Sequence, residues 1–297
     1  MGLGGGLGDR VVLVRSPRWG LVPVAAVVLA FAAGLGIGAT ALHGSALSSL
    51  AADRDSLADR IRLVSAERDA VRERVAELRR TMTEVAPSVV DGTLAGRTVV
   101  LVDTPDVAEP ARTAMRDLLE AAGSTVTGEV RLTSDFTGIG QTDQLRDLAT
   151  TLQPAGVRLP VGGEPGSLAG ALLGSVLLLD APSGQEQATE QERRDVLAAL
   201  RHAGFLTDRP GGSADAVEPA ELAVVLAGAE PGAEPTRWLS RFAEQLDRAG
   251  GGAVLAGPGS PGSPGDGEPG AEPPRVASAA TPEGRLSAVL ALRQRSG

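Results

Sequence analysis

The chain has 297 residues, no cysteine, 42% hydrophobic residues and a net charge of −9, and all 28 of its basic side chains are arginine. These values exclude disulfides, thiolate metal sites and thiol nucleophiles. They also argue against a nucleic-acid partner, because a phosphate-binding face needs clustered positive charge and none stands out. Aromatics are 2% of the residues and tyrosine is absent, so the expected core is aliphatic.

Residues 1–18 read as a cytoplasmic tail. Its run Gly4-Gly5-Gly6 has no strand before it and no Lys-Ser/Thr behind it, so it is not a phosphate loop. Met1-Gly2 lacks the Ser or Thr at the sixth position that a myristoylation signal needs.

From Trp19 to Leu42 no residue is charged. As a helix this stretch spans ~36 Å, enough to cross the ~30 Å hydrocarbon layer with some tilt. Arg10, Arg15 and Arg18 precede it and the first charge beyond it is Asp53, so the positive-inside rule puts the N-terminus in the cytoplasm and the remainder outside. Residues 19–42 are thus expected to be a transmembrane helix. The competing expectation is a cleavable signal peptide at Ala39-Thr40-Ala41, but the apolar run exceeds the usual signal length. Gly34 and Gly38 form a GxxxG pair extended by Ala30, a groove that suits helix dimers in membranes but also reflects the abundance of glycine there.

Over 47–86 apolar residues recur at alternating spacings of 3 and 4, the pattern of a coiled coil. Leu50, Leu57, Val64, Val71, Leu78 and Val85 occupy d, and Arg54, Ile61, Arg68, Val75 and Met82 occupy a. Arginine at a can reach outward along its aliphatic stem, and charge there disfavours trimers and tetramers, so a parallel homodimer is expected. Packing of the stripe on the chain's own domain is the alternative. Pro87 is expected to end the helix.

Residues 94–297 alternate between strand and helix patterns. Strands are expected at 98–103, 124–132, 221–228, 252–257 and 275–279, and helices at 108–122, 141–152, 167–178, 189–203, 235–249 and 282–293. The strand–helix–strand order over about 35 residues is a βαβ unit. The fold class is therefore α/β, a three-layer domain with a mostly parallel sheet, outside the cytoplasm. Residues 257–274 are Gly/Pro-rich and are expected to form a disordered loop.

The apolar anchor ending AGLGIGA, the coil rich in Leu, Arg, Asp and Glu, then GTLAGRTVVLVDTP, AAGSTVTGEVRLT and TPEGRLSAVLAL together resemble the actinobacterial MctB-like copper transport proteins, over nearly the whole chain. The resemblance implies a role in copper homeostasis, with copper as the transported ion and the protein proposed as an efflux pore of the envelope. It also allows an outer-envelope location. The Gly/Pro insert at 257–274 and the lack of a Gly-Tyr-Gly-like tail depart from that pattern.

Residue chemistry gives the activity less support. Cuprous copper favours sulfur and imidazole ligands in clusters. The chain offers only Met1, Met82, Met115, His43 and His202, far apart in sequence, and a structural role is the simpler reading of each. No resident cofactor is expected. A single uncharged span has nothing to line a water-filled pore, and an outer-membrane barrel needs aromatic girdles that this composition lacks. Asp103 and Thr104 lie where α/β sheets bind ligands, at a strand C-terminus, yet no catalytic motif accompanies them and no enzymatic activity is expected. The remaining rival is an anchored coiled-coil scaffold of the cell envelope with protein partners there.

Overall fold

The computed structural model describes residues 21–160, 163–207, 217–228, 233–257, 275–276 and 278–295; at 21–25, 34–53, 55, 137, 139, 233–234 and 275 only the backbone is described. The chain divides into two compact units, Met1–Arg74 and Val75–Gly297.

In the first unit the described residues belong to one helix, α1 (Leu21–Val90), whose last sixteen residues lie in the second. Among the described residues no helix is long and apolar enough to cross a membrane. Within the apolar stretch 19–42, side chains are described only for 26–33, and those are exposed.

Pro87 does not end α1, which runs three residues further to Val90. Proline removes one backbone hydrogen bond. Here Ala86 and Val90, either side of it, are buried in the domain core, and the Ser88 hydroxyl donates to the Val85 carbonyl at 2.7 Å. Tertiary packing thus holds the final turn against the local preference.

The second unit contains a six-stranded sheet in the order β3-β2-β1-β4-β5-β6. Its strands are β1 (Thr98–Asp103), β2 (Thr125–Leu132), β3 (Leu206–Thr207), β4 (Leu222–Leu226), β5 (Ala253–Ala256) and β6 (Arg275–Val276). All pairs are parallel except β2 with β3, so the sheet is mixed. The two-residue edge strand β3 was not expected; it is too short to show a period.

Among the described residues the unit has six α-helices besides α1: α2 (Glu109–Ala121), α3 (Thr142–Thr151), α4 (Pro165–Leu177), α5 (Glu190–His202), α6 (Ala233–Ala249) and α7 (Pro282–Arg295). Alternate residues of the central strands feed two separate cores. Val100, Val102, Ala223 and Val225 face α3–α6, while Val99, Leu101, Leu222 and Val224 face α2, α7 and the end of α1. A sheet buried on both faces explains why β1 and β4 are continuous apolar runs. The expected three layers are present.

The larger core departs from the aliphatic expectation. Phe136 packs edge-on against Phe205, Trp238 and Phe242, with ring centroids 6.0, 4.9 and 5.8 Å away, and Trp238 stacks on Phe242. Four of the chain's six aromatics meet there. The Gly/Pro-rich segment 257–274 lies outside the described residues apart from Gly257, as does Ala277.

Candidate functional site

In this sheet the order in which strands are added reverses between the parallel β1 and β4, and ligands of open α/β folds lie beyond the strand C-termini at such a point. Asp103 and Thr104 stand there.

A bulge in β2 decides what surrounds them. The β1–β2 register slips between Val99 and Val100, so Val99 pairs with Val126 but Val100 with Gly128. The extra residue, Thr127, shifts the side-chain alternation. Val130 and Leu132 therefore join the larger core, and Glu129 and Arg131 pair with Leu101 and Asp103 on the α2 side. Gly128 is required at this bend, since a Cβ there would come within 2.7 Å of Val217.

The charges meet α2. Asp103, 1% exposed, accepts hydrogen bonds from Arg112 at 2.8 Å and Arg131 at 2.9 Å. Arg112, also 1% exposed, pairs with Glu109 as well, and its Nε stands 3.7 Å from Glu129. Arg116 pairs with Glu129, and Arg131 approaches Glu109 at 3.8 Å. Three carboxylates thus balance three guanidinium groups. Burying any one alone would cost several kcal/mol, and mutual pairing removes most of that penalty.

Beside it the loop after β1 touches the end of β4. Thr104 donates its hydroxyl proton to Asp106 and accepts the Gly228 N–H at 3.3 Å, and the Asp106 carboxylate fills the space a Gly228 side chain would need. Asp103 is thus a buried ion-pair partner, at a strand end where the sequence suggested a ligand position. The signal that could have exposed the cluster was Glu129 and Arg131, two charges two residues apart on one face of a strand otherwise placed in a core.

A cleft of about 580 Å³ lies elsewhere, at the C-terminal ends of α4 and α6, with Arg158, Asp180, Gln185, Glu186 and Arg248 among its lining. One wall is the loop after α3, tied down because Glu192 of α5 accepts the Ala155 N–H at 2.9 Å. The same Glu192 and Thr189 form a capping box at the start of α5, and these hydrogen bonds hold its carboxyl below the ordinary value of 4.5. Cleft donors of this kind, guanidinium, carboxylate and amide, are poor ligands for cuprous copper.

Residues 16–297 match the family described as "Copper transport outer membrane protein, MctB". The chain belongs to the MctB family. The Copper transporter MctB of Mycobacterium bovis and that of Mycobacterium tuberculosis are each 33% identical to it over 247 residues, 82% of this chain and 78% of theirs. That of Mycobacterium leprae is 30% identical over 239 residues, 79% of this chain and 75% of its own.

The soft-metal candidates of this MctB family member whose side chains are described lie on three different helices. Met115 is fully buried among the apolar residues of α2 and α7, Met82 is on α1, and His202 is exposed in the last turn of α5. His43 lies on α1 where only the backbone is described, and Met1 lies outside the described residues. Among the described residues no three His, Asp or Glu side chains form a group able to hold a metal ion.

The expected oligomerisation residues divide in the same way. Leu57, Ile61, Val64, Val71, Val75 and Leu78 are all exposed on α1. Gly34, Gly38 and Leu50 belong to that helix too, but at positions where only the backbone is described.

Proposed function

We propose that this chain is a copper-homeostasis protein of the cell envelope that promotes copper efflux, anchored by one helix over residues 19–42 with the α/β domain outside the cytoplasm. The observation carrying this reading is the MctB family match, which covers the apolar stretch, the heptad region and the domain alike. The anchor and its orientation rest on the uncharged run and the arginines before it. No catalytic role is part of the reading.

A single helix has no lumen, so conduction needs several copies or a partner protein. The dispersed sulfur and imidazole groups favour a second reading, an anchored coiled-coil scaffold that supports copper handling by envelope partners without moving the ion itself. Deleting the gene and measuring cellular copper and copper tolerance tests the role: raised copper and lowered tolerance are expected, and no change in either overturns it. Cuprous titration of the purified full-length chain then separates the two readings, since stoichiometric binding favours transport and none favours the scaffold.

A further inference from the structure

We infer that the α1 seam binds a second copy of this chain, parallel and in register, and that Arg68 on each helix is paired with the partner's Glu67. The seam residues Leu57, Ile61, Val64 and Leu78 are 58–64% exposed, so among the described residues none covers this stripe, which recurs at heptad spacing. An apolar stripe of that period is satisfied by another helix carrying the same stripe.

Charge selects the occupant and its direction. With Leu57, Val64, Val71 and Leu78 at d, the two seam arginines Arg54 and Arg68 fall at a, and the residue before each, at g, is an acid: Asp53 and Glu67. The other a residues, Ile61, Val75 and Met82, follow Arg60, Arg74 and Thr81. Acid at g therefore occurs only where a is arginine. In a parallel in-register pair, a of one helix lies beside g of the other, so each seam arginine meets a carboxylate. An antiparallel pair sets a opposite d and loses this match. Glu67 at g also faces Arg72 at e of the partner, a second attraction.

The one unfavourable g–e pairing, Arg74 with Arg79, is relieved within each chain. Arg79 lies 3.5 Å from Glu283 at the start of α7, which draws its charge away from the seam. In the single chain Arg68 leans on its neighbour Asp69 at 3.3 Å, an exposed contact easily exchanged.

This inference does not depend on the copper reading, and the two fail separately. The chain has no cysteine, so any disulfide in a single-cysteine variant joins two copies. In the full-length protein under mild oxidation, Leu57→Cys and Leu78→Cys should each give a linked dimer, and Ala66→Cys, on the outer face, should not. Equal linking at Ala66→Cys, no linking at the seam, or linking only when Leu57→Cys is mixed with Leu78→Cys overturns the parallel pairing.

The charge match is tested in the Leu57→Cys background. Asp53→Arg with Glu67→Arg, or Arg54→Glu with Arg68→Glu, should each lower the dimer yield about tenfold, and mixing the two variants should restore it. Unchanged yield in either variant alone, or no recovery on mixing, overturns the assigned pairing.

Discussion

Gly170 of α4 faces the carbonyl of Phe242 on α6 so closely that an added Cβ would come within 2.5 Å of that oxygen. The glycines one turn away behave alike: a Cβ at Gly166 would meet the Trp238 carbonyl at 2.6 Å, and one at Gly174 the Ala249 side chain at 2.7 Å. Glycine-to-alanine usually gains up to ~1 kcal/mol of helix propensity. Here the clash is with backbone that cannot move without parting two helices, so overpacking decides the sign. Gly170→Ala is expected to lose about 1–3 kcal/mol, read as a lower denaturant midpoint at unchanged slope. A stabilised variant would show that α4 and α6 are not in close contact.

Arg112 holds the buried charges together. Its removal takes from the buried Asp103 one of its guanidinium partners and from Glu129 a fully buried cation, so Arg112→Ala should cost about 3–5 kcal/mol. Replacing both partners, Asp103→Leu with Arg112→Met, removes the stranded charge along with its mate. The double variant should therefore be more stable than the two single losses predict when added, by urea unfolding of all four proteins. Additive losses would mean that the two side chains do not interact.

Much of the domain was legible in the sequence because its elements are strongly periodic and well punctuated. Gly123 and Gly204 stop α2 and α5 at φ of +86° and +82°, a backbone that other residues rarely adopt, and both were readable as helix ends. The close-packing glycines were harder to see. Gly34 and Gly38 stood out because a GxxxG pair in an apolar run suggests a membrane dimer, while the longer series Gly166, Gly170 and Gly174 serves helix packing inside the domain. Spacing alone does not say which partner a small-residue face meets. The Thr127 bulge was equally hidden, since one inserted residue leaves composition unchanged yet turns Glu129 and Arg131 toward α2. Pro87 misled for a related reason: its local cost is visible in sequence, but the burial of Ala86 and Val90 that outweighs it is not.

Met115 separates a structural methionine from a copper ligand. It is fully buried among aliphatic side chains, where a leucine of similar volume should cost less than about 1.5 kcal/mol. Met115→Leu is accordingly expected to leave copper tolerance of the expressing strain unchanged, with a small shift in thermal midpoint. Lost tolerance with intact folding would instead make this sulfur part of a copper path.

Glu192 gives the domain a pH-dependent contact at the cleft wall. Its carboxylate accepts the Ala155 N–H first, then the N–H and hydroxyl of Thr189, and these hydrogen bonds favour the charged form, lowering its pKa from 4.5. A carboxyl depressed by folding contributes stability that is present above the unfolded value and lost as pH falls through the folded one. Glu192→Gln keeps the shape but removes the charge, so the variant should be less stable than the parent at neutral pH. The gap should hold down to about the unfolded value and then narrow as the parent carboxyl is protonated. Urea unfolding of both proteins from neutral pH to well below 4.5 checks this. A difference that stayed constant with pH would mean that charge at Glu192 does not hold the loop at Ala155.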